Sequence, residues 1–223
     1  MWQTTPVKRC LIVLAVAFLL LRPLAAAAAA AAANQPTPAQ GAYLFINDLG
    51  RWAVAVMQSE NLSQSDRNAL LGELLVQRMD FDSLARISLG SYAKQATDKE
   101  FSEFSNYFAA HFIDQALMKF ADLPIHGFAA VKLLRQVDGD VVVVTKILKS
   151  KGKPMIAGWR VRARDGAYRI VDILVEGGNS MGLHFRNQYQ PRLERHGIGG
   201  LIDRLRRLTN GSPTVALVTQ ARR

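Results

Sequence analysis

The sequence predicts an α+β fold: a curved four-stranded antiparallel meander packed against N- and C-terminal helices. Three observations lead to this prediction. The first half of the chain has apolar residues at helical spacing, the middle changes to extended runs joined by glycine turns, and the last part returns to helical spacing. Helices, then a block of strands, then helices are typical of an α+β domain rather than of alternating βα units.

The first 33 residues have the features of a secretory signal peptide. Lys8 and Arg9 precede an apolar run over residues 10–21, and an alanine-rich stretch follows. The run is shorter than the ~20 apolar residues that a spanning helix needs, and its flanks suit export. We expect cleavage between Ala27 and Ala33; the alternative is an uncleaved membrane anchor.

Charge and cysteine content narrow the range of partners. The formal net charge is +10, and the one cysteine, Cys10, lies within the predicted signal peptide. The mature chain would therefore have no disulfide and no thiol chemistry. A basic surface suits anionic lipid headgroups or acidic protein faces. We expect no nucleic acid partner, because an exported chain rarely meets one and no nucleic-acid-binding motif is present.

Helical segments precede the predicted sheet. Residues 34–41 form a polar spacer, and helical spacing begins at Ala42. Ser63 has the sequence context of a helix N-cap, and its helix extends to about Met79. A short helix follows over residues 81–89. These segments would supply the cover that one face of the sheet needs.

A capping box at Thr97 and Glu100 opens the longest predicted helix, which ends by Pro124. Phenylalanines at helical spacing give this helix one strongly apolar face. They are Phe101, Phe104, Phe108 and Phe112. This face would pack on the sheet or on another helix.

Two hairpins form the predicted sheet. The first pairs residues 129–137 with 141–148 across Asp138–Gly139, and the second pairs 155–164 with 168–175 across Asp165–Gly166. Asp-Gly between extended runs favours tight hairpin turns, because both central residues need positive φ. The second turn predicts a register in which Val161 pairs with Ile170, Arg162 with Arg169 and Ala163 with Tyr168.

Helices return after the sheet. One is predicted over residues 179–195 and a shorter one over 199–208, while 209–223 is expected to be a disordered tail. The folded domain would thus cover 42–208. The pattern allows two interpretations of its interior: a fully packed core, or a sheet and helices that enclose an apolar cavity.

The pattern G-x-S-x-G at Gly178–Gly182 raises the possibility of a serine hydrolase that uses Ser180. That mechanism needs a parallel sheet and a histidine after the acid, whereas Asp203 follows the last histidine, His196. We therefore expect a helix N-cap at Ser180 and no enzyme activity. Asp172 and Glu176 share a strand face and are expected to bond backbone groups or arginines.

The histidines do not form a metal-binding pattern, and no cysteine could assist them, so neither a metal nor a cofactor is expected. The four are His111, His126, His184 and His196. Structural roles on the surface or in partly buried positions are the default for such residues.

Four motifs follow one another in a fixed order: residues 79–97 (MDFDSLARISLGSYAKQAT), 168–177 (YRIVDILVEG), 185–189 (FRNQY) and 200–205 (GLIDRL). Together they resemble the MlaC, or toluene-tolerance, family of ABC-transporter auxiliary proteins. Each is weakly specific alone, and their order and spacing carry the resemblance. Phe185 replaces the tyrosine usual at that position of the family pattern.

The resemblance implies a soluble periplasmic phospholipid carrier with an NTF2-like shape and bound lipid as its only cargo. Its partners would be an outer-membrane lipoprotein complex and an inner-membrane ABC transporter with a lipid-binding subunit, and its role the maintenance of outer-membrane asymmetry. A hopanoid-associated branch of the family makes a polycyclic lipid an alternative. A lipid-free adaptor of the transporter is the alternative of another class.

With the resemblance, the hollow interior is the favoured interpretation. The predicted lipid-binding residues on the helices are Leu84, Leu89, Tyr92, Phe104, Phe108 and Phe112. Those on the sheet are Leu134, Val143, Trp159, Val161, Ile170 and Leu174. Their expected role is to remove the acyl chains from water, with the headgroup near solvent and arginines.

Overall fold

A computed structural model of the protein describes residues 37–121, 123–135, 138–164, 166–175 and 177–222. Its helices are α1 (Pro38–Gln58), α2 (Gln64–Arg78), α3 (Phe81–Leu89), α4 (Asp98–Ala121), α5 (Met181–Leu208) and α6 (Pro213–Ala221), with a 3-10 turn at Gly90–Lys94. Its strands are β1 (Ile125–Arg135), β2 (Val141–Lys149), β3 (Met155–Arg164), β4 (Ala167–Val175) and β5 (Asn179–Ser180). The predicted signal peptide, residues 1–33, lies outside the described residues. Helix α1 begins inside the segment predicted to be a spacer.

The strands form one open antiparallel sheet in the order β1-β2-β3-β4-β5. The predicted α+β class, the meander and the register of the second hairpin are confirmed, with Arg162 opposite Arg169. The count of four strands is wrong, because β5 is a fifth strand of two residues that carries no periodic signal. Strand β1 begins earlier than predicted, at Ile125, and its last described pair is Arg135 opposite Val141.

Three register shifts interrupt the sheet, one of them between Ile125 and Gly127 in β1, and the other two change which face the predicted site residues take. Ala130 and Lys132 pair with the consecutive residues Thr145 and Val144, so Val131 is an extra residue in β1. In β4, Val171 is the extra residue, because Arg160 pairs with Asp172 and Val161 pairs with Ile170. Because side chains alternate along a strand, an extra residue exchanges the faces of all residues beyond it.

Helix α1 covers the face of the sheet that we call the inner face. The Tyr43 hydroxyl donates to the Ala130 carbonyl oxygen at 2.9 Å, and the Phe45 ring stacks on Tyr168 with centroids 5.9 Å apart. Gly50 lies so close to the Phe128 ring that an added Cβ would be 2.1 Å from it. The opposite side of the sheet is the outer face.

Local signals place the helix ends where the sequence predicts them. The Ser63 side chain accepts from the Asp66 amide at 3.1 Å. The Thr97 Oγ1 accepts from the Glu100 amide at 3.2 Å, while Glu100 Oε2 accepts from the Thr97 amide at 2.9 Å. Hydrogen bonds from the Thr97 amide and hydroxyl lower the pKa of Glu100. The N-cap at Ser63 and the capping box at Thr97–Glu100 are thus confirmed.

The two helices predicted after the sheet join into α5, with a break at Gly197, whose φ of 63° interrupts the helical path. The expected disordered tail is wrong, because residues 213–221 form α6. The hydroxyls of Ser212 and Thr214 donate to Asp114 Oδ1 at 3.0 and 2.6 Å, and Val218 is buried. Ser212 followed by a proline is a helix start signal, but only packing on the other helices stabilises so short a helix.

Candidate functional site

A groove of about 530 Å³ lies between α1 and α2. Its wall on α1 is a stripe at helical spacing, and so is its wall on α2. The residues from α1 are Phe45, Asp48, Leu49 and Trp52, and those from α2 are Leu70, Glu73, Leu74, Gln77 and Arg78. Trp52 remains 41% exposed although it is the largest side chain in the groove. Five of the nine lining residues are apolar, and partly exposed apolar side chains rimmed by polar ones are typical of a binding groove.

The groove borders the apolar contact between α1 and the sheet. Phe45 lines the groove and also stacks on Tyr168, which lies on the inner face. Gly41 makes room for this tyrosine, because a Cβ there would lie 1.9 Å from the Tyr168 hydroxyl oxygen. The Phe45–Tyr168 pair therefore separates the groove from the inner face.

The inner face is apolar and its one indole N–H is satisfied within the sheet. Trp159 Nε1 donates to Thr145 Oγ1 at 2.9 Å, and the threonine hydroxyl donates to the Ala157 carbonyl oxygen at 3.2 Å. Phe128 lies against Trp159, with ring centroids 6.2 Å apart. With its polar atom bonded internally, the tryptophan presents only hydrocarbon toward α1. We call α1, the inner face and the side chains between them the α1–sheet layer.

Four predicted sheet residues lie on the inner face, namely Val143, Trp159, Val161 and Ile170. Leu134 and Leu174 do not, since they pair with Val142 and Gly158 on the outer face. The bulges at Val131 and Val171 cause this difference, because each exchanges the faces beyond it. Leu133 and Ile173 take the inner positions opposite Val143 and Trp159.

The predicted lipid-binding residues of α4 are buried in a different part of the domain. Phe104, Phe108 and Phe112 of α4 pack against Phe185 and Tyr189 of α5, with Phe108 and Phe185 centroids 5.3 Å apart. We call these five residues the helical aromatic cluster. Burial raises the pKa of Tyr189, whose hydroxyl has no hydrogen-bond partner within the described part of the chain. Edge-to-face contacts fill this region.

The remaining three predicted residues lie on or next to α3. Leu84 and Leu89 are fully buried, while Tyr92 of the 3-10 turn is half-buried against the core. Gly182 of α5 brings the two helices together, because an added Cβ would lie 2.6 Å from Ile87 of α3. The structure thus divides the predicted set among the inner face, the outer face, where Leu134 and Leu174 lie, and the closely packed helices.

Sequence reasoning missed the groove residues. The sequence shows Phe45, Leu49 and Trp52 at helical spacing, a pattern that also describes an ordinary core-facing helix. Leu70 and Leu74 of α2 are equally unremarkable in the sequence. The available signal was a tryptophan on the first helix of the domain, since so large an apolar side chain often marks a binding surface.

A larger groove of about 910 Å³ runs along α6 between α2 and α4. Polar side chains such as Gln64, Asn68, Asp114 and Gln220 lie along it, next to the exposed Met118. It is formed entirely by helices and turns, and its lining includes no strand residue. The α1–α2 groove is the better candidate because it alone of the two borders the inner face through Phe45.

Ser180 is used as a helix cap. Its Oγ accepts from the Leu183 amide at 3.0 Å and donates to Asp172 Oδ2 at 2.5 Å. Asp172 Oδ1 accepts from the amides of Ile173 and Gly182 at 2.8 and 3.1 Å. A buried carboxylate at a helix N-terminus is stabilised by these donors and by the helix dipole. Glu176, considered with Asp172 as a pair, lies outside the described residues.

Ion pairs neutralise part of the basic surface at the end of the sheet formed by the β1–β2 turn. Asp140 accepts from Nε of Arg160 at 2.8 Å and from Nε of Arg162 at 2.9 Å, and Asp138 pairs with Arg160. The hydrogen bond to Asp140 raises the pKa of Arg162. Within the described residues, no group of three or more His, Cys, Asp or Glu side chains could hold a metal ion.

Of the helices in the described ranges, none is both long and apolar enough to cross a bilayer. The fold and groove define an α+β protein whose apolar layer, between one helix and an antiparallel sheet, borders a surface groove. The family described as "MlaC protein" matches residues 50–207, and the chain belongs to that family.

A solved structure of the phospholipid-binding protein from Ralstonia solanacearum, in complex with a phospholipid, has a similar fold. The TM-score is 0.63 at 19% identity, and the match covers 82% of this chain and 99% of that one. No curated protein matches the sequence.

Proposed function

We propose that this protein is a periplasmic phospholipid carrier. It shuttles lipid between an outer-membrane lipoprotein complex and an inner-membrane ABC transporter, and this transport maintains the lipid asymmetry of the outer membrane. Membership of the MlaC family supports this proposal. So does the structural similarity to a protein solved with a bound phospholipid. The observation that carries it in this chain is the groove next to the α1–sheet layer, whose lining combines apolar and charged side chains and in which Trp52 is 41% exposed.

In this proposal the acyl chains lie in the α1–sheet layer, against Val143, Trp159, Val161 and Ile170. Each methylene withdrawn from water contributes about 0.8 kcal/mol, so two chains are enough for tight retention. The Phe45–Tyr168 pair must part to admit them, and Tyr168 is only half-buried. The helical aromatic cluster serves as the fixed wall that keeps its packing while α1 adjusts.

The headgroup would stay at the mouth of the groove. Arg78 lines the groove and can meet the phosphate, while Asp48 and Glu73 on the facing walls can meet a headgroup amine. No bond in the lipid is made or broken in this mechanism. A serine hydrolase is the weaker alternative, because the Ser180 hydroxyl caps α5 and donates to Asp172 rather than to a histidine.

Native mass spectrometry with lipid identification tests the proposal on a matched pair of variants. Leu49→Glu places a carboxylate in the groove, whereas Leu44→Glu places one on the same helix at a position that is 51% exposed and outside the groove. We expect about one lipid per chain for the parent and for Leu44→Glu. We expect at least about a tenfold loss for Leu49→Glu, because a buried carboxylate next to acyl chains is strongly unfavourable.

Each alternative gives a different result. A parent protein that is folded and lipid-free after native purification would replace the carrier with a transporter adaptor. A polycyclic hydrocarbon in place of a phospholipid would indicate the hopanoid branch. Equal lipid content in the two variants would place the lipid somewhere other than the groove and the layer beside it.

A further inference from the structure

We propose that the outer face of the sheet, together with the β2–β3 turn, is a docking surface for an anionic phospholipid bilayer. Five lysines define this surface, which we call the lysine face. Lys132 and Lys146 lie on the outer face, Lys149 ends β2 on the side of Ile147, and Lys151 and Lys153 lie in the turn. The proposal goes beyond cargo binding, since it concerns how the protein meets a membrane surface rather than what it holds.

The charge on this part of the sheet is one-sided. Residues 141–164 contain seven lysines and arginines and no aspartate or glutamate. Arg160 and Arg162 are paired with Asp138 and Asp140 at the far end of the strands. Across the residues that the structure describes, none of the five lysines of the lysine face forms a salt bridge. Their charge is therefore available to an anionic surface.

Apolar side chains lie between these lysines. Lys146 is opposite Ile156, which is 49% exposed, and Lys132 is opposite Val144. Leu134, 40% exposed, continues the same face toward Arg160. The uncovered face of an antiparallel sheet is normally polar, so exposed leucine and isoleucine among lysines need a reason. A bilayer interface supplies one, because lysine stems and aliphatic side chains can rest among headgroups while the ammonium groups meet phosphate.

The turn that carries Lys151 and Lys153, and that follows Lys149 at the end of β2, is held to the rest of the sheet. The Ser150 amide donates to the Pro124 carbonyl oxygen at 2.8 Å, which joins the turn to the start of β1. Gly152 has a φ of 86°, which lets the chain reverse tightly between Lys151 and Lys153. The lysines therefore project from a fixed frame, so less conformational freedom is lost on docking.

The chemistry of the lysine face favours a bilayer over a protein partner. Protein interfaces are enriched in aromatic residues and arginine and depleted in lysine. Near the β2–β3 turn the cations are lysines and the exposed apolar side chains are aliphatic, whereas Arg160, Arg162 and Arg169 lie toward the other end of the outer face. Clusters of four to eight basic residues are typical of anionic membrane surfaces, where each contributes roughly a fivefold increase in partitioning.

Co-sedimentation with vesicles tests this proposal on the full chain. We expect the protein to bind vesicles of phosphatidylcholine mixed with phosphatidylglycerol, not phosphatidylcholine alone, and to lose binding as salt rises. The triple variant Lys149→Glu, Lys151→Glu, Lys153→Glu should lower the partition coefficient about 100-fold. The control Lys94→Glu, Lys99→Glu, Lys119→Glu makes the same change of net charge at exposed helical positions and should stay within about threefold of the parent.

Equal losses in the two triple variants would overturn the proposal, because net charge rather than the lysine face would then control binding. Binding that does not depend on phosphatidylglycerol, or no vesicle binding by the parent, would overturn it as well and leave an acidic protein as the occupant. None of the three lysines lines the α1–α2 groove. Lipid content measured by native mass spectrometry therefore stays at the parent level in the triple variant, and that readout tests the carrier proposal separately.

Discussion

The helical aromatic cluster and the α1–sheet layer are both rich in aromatic residues, yet they are packed differently. In the cluster, Phe104 and Phe108 are fully buried and stacked at 5.5 Å. At the edge of the layer, Phe45 and Tyr168 are half-buried and Trp52 is 41% exposed, although Val143, Val161 and Ile170 on the inner face are fully buried. The first region is anchored by three helices, α3, α4 and α5, whereas the second depends on a single helix lying over a sheet.

This difference suggests a division of roles: the helical aromatic cluster stabilises the fold, and the α1–sheet layer is the part that can open to admit a ligand. Regions that open for ligands are drawn from the less stable parts of a structure, since opening must cost little free energy. A side chain at the centre of the cluster cannot move without leaving a cavity. A side chain at the edge of the α1–sheet layer, such as Phe45, has solvent beside it and can turn away. We therefore expect mutations in the two regions to affect different properties.

The largest expected effect is on stability, in the cluster. Phe108→Ala should lower the free energy of unfolding by about 3–5 kcal/mol, because it removes a fully buried ring and leaves a cavity. Phe101→Ala on the same helix is the control, since that ring is half-buried and its main contact is Arg86, 4.1 Å from the ring centroid. Urea denaturation measures both. Similar losses for the two variants would show that the cluster is not the rigid part of the domain.

A glycine pair compares the rigidity of the two regions directly. A Cβ at Gly50 would lie 2.1 Å from Phe128 in the α1–sheet layer, and one at Gly182 would lie 2.6 Å from Ile87 between α5 and α3. Distance alone predicts the larger loss for Gly50→Ala. We expect the reverse: about 2 kcal/mol for Gly182→Ala and less than about 1 kcal/mol for Gly50→Ala, because α1 can shift and the packed helices cannot. A larger loss for Gly50→Ala than for Gly182→Ala in thermal unfolding would contradict the proposed difference in rigidity between the two regions.

Local features of the fold could be predicted from the sequence. The capping box at Thr97–Glu100 and the register set by the turn at Gly166 depend on residues a few positions apart, and both are confirmed. The bulges at Val131 and Val171 could not be predicted, because an extra residue is defined only relative to the partner strand. They moved Leu134 and Leu174 to the outer face.

Tertiary packing decided the rest. The phenylalanine stripe of α4 was correctly predicted to be apolar, but the sequence does not say whether it meets the sheet or another helix. Phe185 and Tyr189 of α5 take that place, so the helical half of the predicted site is a packed cluster. Helix α6 is short and is stabilised by Asp114, about a hundred residues earlier in the sequence. Contacts between residues so far apart in the chain produce no periodic pattern in the sequence.

A smaller effect is expected at the junction of β4 and α5, which belongs to neither region. Ser180→Ala removes the N-cap and leaves one fewer donor for the buried Asp172, so the free energy of unfolding should fall by about 1–2 kcal/mol. Lipid content should equal that of the parent, since Ser180 lies outside the groove. Ser180→Thr keeps a hydroxyl and should recover most of the stability. Lipid hydrolysis by the parent that is lost in Ser180→Ala, at unchanged lipid content, would instead favour the hydrolase.

The smallest effect concerns pH and the border of the helical aromatic cluster. Burial lowers the pKa of His111 from its usual 6.5, Asp114 partly opposes this, and Arg204 adds to it. Because the folded-state pKa is the lower one, the unfolded chain binds the proton first as pH falls. The contribution of His111 to the free energy of unfolding is therefore complete above about pH 6.5, declines as the pH falls through that value, and stops declining below the folded-state pKa.

His111→Gln should remove this contribution. Urea titrations at several pH values would then show a smaller change in the free energy of unfolding between pH 7 and 5 than in the parent. An unchanged slope would mean that His111 is effectively in solvent and that the cluster is looser at its edge than the ring contact with Phe185, 6.3 Å between centroids, indicates.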